Sequence, residues 1–466
     1  MTDNLLCWAD YRVIRNAGEP VLFAVEDASL FALSEEAHET LCRWRRCEFI
    51  DLDEIPLPDQ ELLAGLRDAR VLLPVSGEQQ LLPRLEPGTV PLSTLVLEVA
   101  QDCNLRCTYC YAEAGTYGAA PCLLAPDTAR EAVRYLLDQS GDREQVTLVF
   151  FGGEPLLNMQ AVRAATREAI SYGGELGKRV QFSLTTNGTL LNAGIVNFLH
   201  EHRVSVAVSL DGPRHVHDRN RPDALGNGSY DAVVSRLGML LEDSPAPVAA
   251  RVTLAPDQWH RVVEVFDHLV GLGFHEVGIA PVSPVTTALL PTPAEETALL
   301  SSFRVLARRF VDEAKKGRIL PFANILDVLG RLHLGQTKSV SCGAGFGYLA
   351  LDAKGSLFPC HRLAGEADFC VGNLTGGIDT DRINSCLGSL NRGRDQSCSG
   401  CWARTLCAGG CHYENNLREN QLGLPRGTSC GFIRGWLDLG IKTYAELRTD
   451  GAIEAMSRRL AQRAQC

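Results

Sequence analysis

The sequence predicts an α/β protein organised around a parallel sheet with helical crossovers. Between residues 92 and 335, six apolar runs of strand length alternate with amphipathic helical segments, which is the pattern of repeated βα units. The runs are continuously apolar, as expected for strands that are covered by other elements. Glycine-rich or polar motifs follow the first four runs. We predict strands over residues 93–99, 146–151, 180–185, 204–210, 248–254 and 276–280.

The composition is that of an ordinary globular protein with room for two or three domains. Of its 466 residues, 45% are hydrophobic and 22% are charged. A formal charge of -11 argues against a nucleic-acid partner, which needs a basic face. No apolar run has the length to span a bilayer, and the N-terminus lacks the pattern of a signal peptide. We therefore expect a cytoplasmic protein with no membrane partner.

The chain contains 17 cysteines, more than we expect in a protein whose cysteines have no specific role. Without a secretion signal, metal ligation is a better explanation than disulfides. Cys103, Cys107 and Cys110 lie in one short stretch just after the first predicted strand. A tight loop can turn all three thiols towards one iron–sulfur cube, whose fourth iron then has no protein ligand. The alternative is a zinc knuckle, for which Cys122, in a different segment, is the first candidate fourth ligand.

Three further motifs follow the next three strands. Gly-Gly-Glu-Pro (152–155) comes first, and its paired glycines allow the backbone to approach a ligand. Thr-Thr-Asn-Gly (185–188) and Ser-Leu-Asp-Gly (209–212) follow the third and fourth strands. Because the carboxyl ends of parallel strands meet at one edge, these motifs should face the same mouth as the cysteine loop. For Asn187 and Asp211 the alternative role is capping of the turn before the next helix.

With these motifs the chain resembles the radical S-adenosylmethionine (radical SAM) enzymes, whose signature is CxxxCxxC with an aromatic residue before the last cysteine. The resemblance implies a partial (β/α)6 barrel over residues 91–335. It also implies that S-adenosylmethionine (SAM) chelates the open iron and is cleaved to a 5′-deoxyadenosyl radical. Asp211 becomes a candidate catalytic residue. The resemblance assigns SAM binding to Tyr109, Gly152, Gly153, Glu154, Pro155, Thr186, Asn187, Ser209 and Arg221.

The segment 336–466 carries most of the remaining cysteines. Their spacing resembles the SPASM extension of radical SAM enzymes, which holds two auxiliary four-iron clusters and brings the expected total to three [4Fe-4S] clusters. By this resemblance, one auxiliary cluster is bound by Cys398, Cys401, Cys407 and Cys430. The other is bound by Cys342, Cys360 and Cys411, with a fourth ligand from Cys370, Cys386, a substrate group or water. A zinc ribbon is the alternative for four of these cysteines and leaves the others unexplained.

His361 directly follows Cys360. Some sulfatase-maturing relatives carry an aspartate at this position and use it as a base. A histidine has a suitable pKa for taking a proton from a substrate thiol or carbon. His361 is therefore a second candidate catalytic residue, and the alternative is a hydrogen bond from its ring to cluster sulfur.

The first 90 residues read as a strand pair with two helices and a closing strand. The strands are expected at 11–15, 21–25 and 70–74, and Ser34 is the expected N-cap of the first helix. This pattern is similar to a small winged-helix module. In peptide-modifying radical SAM enzymes such a module often grips the substrate peptide along a strand edge. The alternative is a structural cap on the barrel.

Two auxiliary clusters beside a radical-generating barrel are typical of peptide or protein modification. The stretches Cys-Gly-Ala-Gly (342–345) and Phe-Pro-Cys-His-Arg (358–362) are most similar to maturation proteins of quinohemoprotein amine dehydrogenase. Those proteins form intrapeptidyl thioethers from cysteine sulfur to Asp and Glu methylene carbons. The alternatives are another SPASM maturase (α-carbon thioether, carbon–carbon link or formylglycine) and a non-catalytic iron–sulfur electron carrier. The expected partners are a small protein or peptide substrate and an electron donor such as flavodoxin or ferredoxin.

Overall fold

The computed structural model describes residues 5–15, 19–75, 86–391, 398–423 and 429–465. In the first 75 residues it contains two antiparallel three-stranded sheets and two helices. The strands are β1 (Leu5–Trp8), β2 (Tyr11–Ile14), β3 (Val21–Ala24), β4 (Leu30–Ala32), β5 (Phe49–Asp51) and β6 (Leu72–Pro74). The helices are α1 (Glu35–Trp44) and α2 (Leu57–Asp68). The sheet orders are β5-β1-β6 and β2-β3-β4.

This N-terminal module has a core of its own. Leu6, Leu22, Leu41 and Leu63 are buried together, apart from the main core of the chain. The Ser34 hydroxyl accepts a hydrogen bond from Ala37 N at 3.1 Å, so the predicted cap of α1 is confirmed. The sequence did not predict β1, β4 or β5, which are strands of three or four residues.

The central region is the predicted partial barrel of six parallel strands. Its strands are β7 (Thr94–Gln101), β9 (Gln145–Gly152), β10 (Arg179–Thr186), β11 (Ser205–Ser209), β12 (Val248–Leu254) and β13 (Glu276–Pro281), with a short β8 (Cys122–Leu123) beside β7. The crossovers contain α3 (Pro126–Asp138), α4 (Met159–Glu175), α5 (Ala193–Glu201), α6 (Arg214–Asn220), α7 (Tyr230–Leu241) and α8 (Val262–Gly271). The parallel order β13-β12-β11-β10-β9-β7 confirms the expected α/β class.

The barrel sheet continues into the C-terminal region. After α9 (Pro293–Ala314) and α10 (Ala323–His333) come β14 (Tyr348–Leu351), β15 (Ser356–Phe358), β16 (Gly372–Asn373) and β17 (Gly377–Ile378). Strand β14 pairs in parallel with β7, so the sheet crosses the boundary expected at residue 335. The remaining helices are α11 (Thr380–Asn391), α12 (Arg404–Cys407), α13 (His412–Asn416), α14 (Cys430–Thr449) and α15 (Ile453–Gln465). Among the helices in the described ranges, none has the length and apolarity to cross a bilayer.

Candidate active site

The three cysteines of the loop after β7 lie together at the carboxyl ends of the barrel strands. Burial raises the pKa of the Cys103 thiol to about 12, and the neighbouring Cys107 and Cys110 add to the shift. Polar hydrogens point at the sulfur, because Leu105 N lies 3.4 Å and Asn187 Nδ2 3.8 Å from Cys103 Sγ. Donors around sulfur are the surroundings that stabilise a bound cluster.

The loop fits a cluster held by three thiolates. In the described part of the chain, no three Cys, His, Asp or Glu side chains converge on a site for a single metal ion. An iron–sulfur cube makes a different demand, because each thiolate binds its own iron and the sulfurs remain apart. Thiols with a raised pKa lose their protons when metal binds, so ligation here is coupled to proton release.

Asp211 lies at the centre of a buried network beside the cysteine loop. Its carboxylate accepts hydrogen bonds from the Tyr109 hydroxyl, from Arg221 Nε at 3.0 Å and from Thr253 N at 3.0 Å. Arg221 in turn places Nη1 4.0 Å from Cys107 Sγ. Both Asp211 oxygens are occupied by donors, so the carboxylate positions Tyr109 and Arg221. This geometry favours a positioning role over the catalytic role expected from the sequence.

The Gly-Gly-Glu-Pro turn after β9 packs against the start of the cysteine loop. A Cβ on Gly152 would lie 2.3 Å from Ala100 O. One on Gly153 would lie 2.2 Å from Asp102 O. Glu154 N also donates to Asp102 O at 2.9 Å. The close approach that the sequence predicted for a ligand is therefore also made to the chain itself, where it holds the cysteine loop against β9.

The Glu154 side chain turns inward and joins the ends of β9 and β10. One oxygen accepts from Thr186 Oγ1 at 2.7 Å and the other from Asn187 N at 2.7 Å. Burial raises the pKa of Glu154 to about 7, and these donors oppose the shift. Asn187 Oδ1 accepts from Thr189 N at 3.0 Å, so the turn-capping role considered for Asn187 is present.

The other two residues expected to bind SAM border the same mouth. Ser209 is the last residue of β11 and is partly buried. Pro155 opens the 3-10 turn Pro155–Asn158 and is buried. Its ring has no N–H to donate.

A second set of buried side chains lies where β14 and the segment after β15 meet the barrel. The His361 ring packs against Phe151 with centroids 4.6 Å apart, and its Nδ1 lies 2.7 Å from the Tyr348 hydroxyl. Burial lowers the pKa of His361 to about 3, and the Arg362 and Arg251 guanidinium groups contribute. The imidazole is therefore neutral near pH 7. Its Nε2 has no hydrogen-bond partner among the described residues.

We call this cluster of side chains the histidine chamber. It consists of Tyr111, Phe151, Tyr348, His361 and Arg362, and the guanidinium of Arg362 lies 5.2 Å from the Tyr111 ring centroid. The chamber adjoins the cysteine loop, because Tyr111 directly follows Cys110.

The C-terminal cysteines form two groups, one of which adjoins the histidine chamber. Burial raises the pKa of the Cys360 thiol to about 12, and Cys411 and Cys342 lie near enough to add to the shift. These three were expected to share a cluster, and the structure brings them together. Two other cysteines were considered as the fourth ligand of this cluster. Cys370 directs Sγ to a backbone carbonyl 3.6 Å away, and Cys386 is buried in α11.

The second group lies at the start of α14. Burial raises the pKa of Cys407, with further increases from Cys430 and Cys398. Cys430 is influenced in the same way by Cys398 and Cys401. The four cysteines expected to hold the other auxiliary cluster are therefore neighbours in the fold.

The N-terminal module docks beside this second group. Trp402, next to Cys401, lies under the Arg12 guanidinium, 4.3 Å from the ring centroid. Arg404 forms an ion pair with Asp10 at 2.7 Å. The module therefore has a defined position against the C-terminal region.

Comparison with known sequences identifies the family of the central region. Residues 97–280, from β7 to β13, match the model of the Radical SAM superfamily. The chain is a radical SAM enzyme. The family implies a [4Fe-4S] cluster with SAM, and the three thiols of the cysteine loop fit such a cluster.

The relatives of this radical SAM enzyme include sulfatase-maturating enzymes. The serine-type anaerobic sulfatase-maturating enzyme of Klebsiella aerogenes is 25% identical over 357 residues, which cover 74% of this chain and 85% of that enzyme. The cysteine-type enzyme of Clostridium novyi (strain NT) is 24% identical over 363 residues, with 72% and 91% covered.

Two solved structures share the fold. The structure of anSMEcpe with bound AdoMet has a TM-score of 0.65 at 19% identity, covering 78% of this chain and 100% of that chain. Streptococcus suis SuiB bound to the precursor peptide SuiA has a TM-score of 0.51 at 14% identity, covering 92% and 98%.

Sequence reasoning missed several residues of this radical SAM enzyme's site. Arg251 is a charged residue inside an otherwise apolar strand, and that exception was a usable signal. Tyr348 and Phe151 gave no signal, because an aromatic residue in a strand is ordinary core material. They are recognised as site residues only in the folded chain, where β14 pairs with β7 and both side chains contact His361.

The radical SAM domain also contains a buried histidine, His217, that makes stability depend on pH. Its Nδ1 accepts from Asp211 N at 3.3 Å, and Nε2 lies 2.9 Å from Ser229 Oγ. The serine hydroxyl itself donates to Arg221 O, so Nε2 carries the imidazole proton. Burial lowers the pKa of His217 from 6.5 to about 4.

We predict that His217→Gln flattens part of the acid-induced loss of stability. Below pH 6.5 the unfolded histidine takes up a proton that the folded one refuses until about pH 4. Wild-type stability should therefore fall with decreasing pH in this window, by roughly 2 kcal/mol from this group at pH 5. Anaerobic urea unfolding near pH 7 and pH 5 measures the difference. The exposed His260→Gln should keep the wild-type slope, and an unchanged slope in His217→Gln would refute the assignment.

Proposed function

We propose that this radical SAM enzyme oxidises a cysteine or serine side chain of a peptide or protein substrate to formylglycine. The observation that carries the proposal is the alignment along 85% and 91% of two sulfatase-maturating enzymes, one serine-type and one cysteine-type. The geometry supports it, because the histidine chamber adjoins the cysteine loop through Tyr111 and the Cys342, Cys360 and Cys411 group through His361. This choice replaces thioether formation, which the sequence motifs had favoured.

The histidine chamber contains His361, the residue that the sequence suggested as a base in place of an aspartate. The aspartate expected after Cys360 in sulfatase maturation is replaced by His361, a neutral imidazole. In the tautomer in which Nδ1 donates to the Tyr348 hydroxyl, Nε2 is an acceptor for the proton of a substrate thiol or hydroxyl. The phenol of Tyr348 keeps its proton, because burial raises its pKa.

The proposed reaction removes two hydrogens from the substrate side chain. When bound, the clusters and SAM supply the radical that removes a hydrogen atom from Cβ and an acceptor for the electron left behind. His361 Nε2 takes the thiol or hydroxyl proton. A serine gives the aldehyde directly, whereas a cysteine gives a thioaldehyde that water hydrolyses with release of hydrogen sulfide.

We assign the auxiliary clusters to the two cysteine groups described above. Cys342, Cys360 and Cys411 would hold one, and Cys398, Cys401, Cys407 and Cys430 the other. The electron donor, such as flavodoxin or ferredoxin, and the cytoplasmic location stay predictions.

We keep thioether formation of the quinohemoprotein amine dehydrogenase type as the second candidate. The observation that favours it is the docked N-terminal module, because the SuiB structure, solved with a precursor peptide, covers 92% of this chain and anSMEcpe 78%. Other SPASM cross-links would use the same module. A non-catalytic electron carrier is no longer a candidate, since the chain is a radical SAM enzyme.

Mass spectrometry of a co-expressed small protein encoded beside this chain separates the two candidates. Formylglycine from cysteine replaces sulfur and two hydrogens by oxygen, and the aldehyde reacts with a hydrazide probe. A thioether loses two hydrogens, keeps its sulfur and blocks one thiol. An aldehyde supports the proposal, and a blocked thiol without an aldehyde supports the second candidate.

We predict that His361→Asn slows peptide oxidation by about 10²–10⁴-fold, the usual contribution of a general base. Formation of 5′-deoxyadenosine and the iron content should stay near wild-type values, because His361 is not among the expected ligands. Product and deoxyadenosine are quantified together by chromatography. The exposed His260→Asn is the matched control. Equal turnover of His361→Asn and wild type would remove the proposed role.

A further inference from the structure

Arg251 lies inside the barrel at the level of the candidate active site. On β12 the residues Val248, Ala250, Val252 and Leu254 are buried against the helices, whereas Arg251 is exposed. Alternation along a strand therefore turns its side chain to the open interior. In the sheet register it lies beside Ser209 of β11, a residue expected to contact SAM.

The guanidinium of Arg251 has no direct ion-pair partner among the described residues, and the Asp327 carboxylate, which acts on it from a distance, is ion-paired with Arg463 at 2.9 Å. No hydrogen bond or ion pair involves its side chain within the described ranges. Its pKa is lowered, first by burial and then by the Arg362 guanidinium. Arg362 differs, because it has an ion pair with Glu414 at 3.4 Å and a hydrogen bond to Ser283 Oγ at 2.6 Å. Two cations thus face the histidine chamber, and only one is paired.

The neighbouring strand leaves room for this side chain. Gly278 on β13 is opposite Arg251 in the register, and a Cβ there would lie 3.3 Å from Arg251 Nη1. The guanidinium therefore lies across the glycine with its donors free. A guanidinium with free donors in an open barrel interior is suited to a carboxylate, which it can bind through two parallel hydrogen bonds.

We propose that Arg251 binds a carboxylate of the peptide substrate, so that a glutamate or aspartate near the modified residue selects the substrate. The inference rests on the proposed peptide oxidation and names its substrate class. SAM also carries a carboxylate, but Arg221, 4.0 Å from Cys107 Sγ, already lies at the cysteine loop where SAM would bind. Arg251, on the β12 side of the chamber, is left for the peptide.

The test compares binding of two synthetic cysteine peptides that differ only in glutamate or glutamine near the cysteine, prepared as a positional set. Binding is measured anaerobically, with SAM and without reductant, by fluorescence anisotropy on the reconstituted enzyme. In at least one position the wild type should prefer glutamate by about tenfold or more, the usual strength of a charged hydrogen-bonded pair. Arg251→Gln should abolish the preference, and SAM affinity should be unchanged.

Two controls make the result decisive. Arg251→Lys keeps the charge and should retain part of the preference, which separates loss of the site from loss of the fold. Arg318→Gln, on an exposed ion pair with Glu313 at 2.6 Å, should behave as wild type. Equal or absent binding of both peptides by the wild type, or a loss confined to SAM affinity, overturns the proposal. Preference for glutamate without any aldehyde product would instead refute the proposed function and leave this inference intact.

Discussion

Cys107→Ala will abolish cleavage of SAM by the reduced enzyme. Cys107 is the middle cysteine of the loop after β7 and lies beside the Arg221 guanidinium. With two thiols left in the loop, the cluster loses one of its three protein ligands, and the site that should bind SAM is lost with it. Anaerobic incubation with SAM and dithionite, followed by chromatography of 5′-deoxyadenosine, measures the effect. The iron content should fall by about one cluster of the expected three.

The matched control for this experiment is Cys122→Ala. Cys122 lies on β8, which pairs with the end of β7, and its Sγ lies 3.9 Å from the Leu123 carbonyl while the residue packs against the core. This variant should cleave SAM as the wild type does. Cleavage retained by Cys107→Ala, or lost equally in both variants, would contradict the assignment of the three-cysteine loop.

Cys401→Ala will spare SAM cleavage and stop peptide oxidation. Cys401 belongs to the group with Cys398, Cys407 and Cys430, which lies in the C-terminal region and not in the cysteine loop after β7. Removing one ligand of this group should impair an auxiliary cluster while the cysteine loop stays intact. The expected result is 5′-deoxyadenosine at a near wild-type rate with no aldehyde on the substrate. Both are quantified in the same reaction.

Cys47→Ala is the control for general effects of thiol removal. Cys47 is exposed in the N-terminal module and belongs to neither cysteine group. It should leave both cleavage and oxidation unchanged. If Cys401→Ala forms product at the wild-type rate, an auxiliary cluster at this position has no part in the reaction.

The barrel was predictable from the sequence because its signals are local. Each strand is a continuous apolar run, and each motif follows the run that positions it. The cysteine loop, the Gly-Gly-Glu-Pro turn and Asn187 therefore fell at the expected strand ends. Their hydrogen-bond partners did not follow from the sequence: that Glu154 joins β9 to β10 depends on a pairing across the sheet.

The histidine chamber could not be predicted, because it forms between segments far apart in the chain. Strand β14 must pair with β7 before Tyr348 can meet His361, and Phe151 reaches the same place from β9. The sequence shows that His361 follows a cysteine. It does not show that the imidazole is neutral or that Nε2 has no hydrogen-bond partner among the described residues. For Asp211 the sequence predicted a catalytic role, but hydrogen-bond donors occupy both of its carboxylate oxygens in the structure.

One measurement tests the central claim most directly, that a cluster at the barrel mouth keeps one iron open for SAM. The sample is a Cys360→Ala/Cys401→Ala variant, reconstituted anaerobically and reduced, in which the barrel-mouth cluster dominates the electron paramagnetic resonance spectrum. We predict that adding SAM shifts the g-values of that signal. A signal identical with and without saturating SAM, from protein that holds the expected iron, would contradict the account.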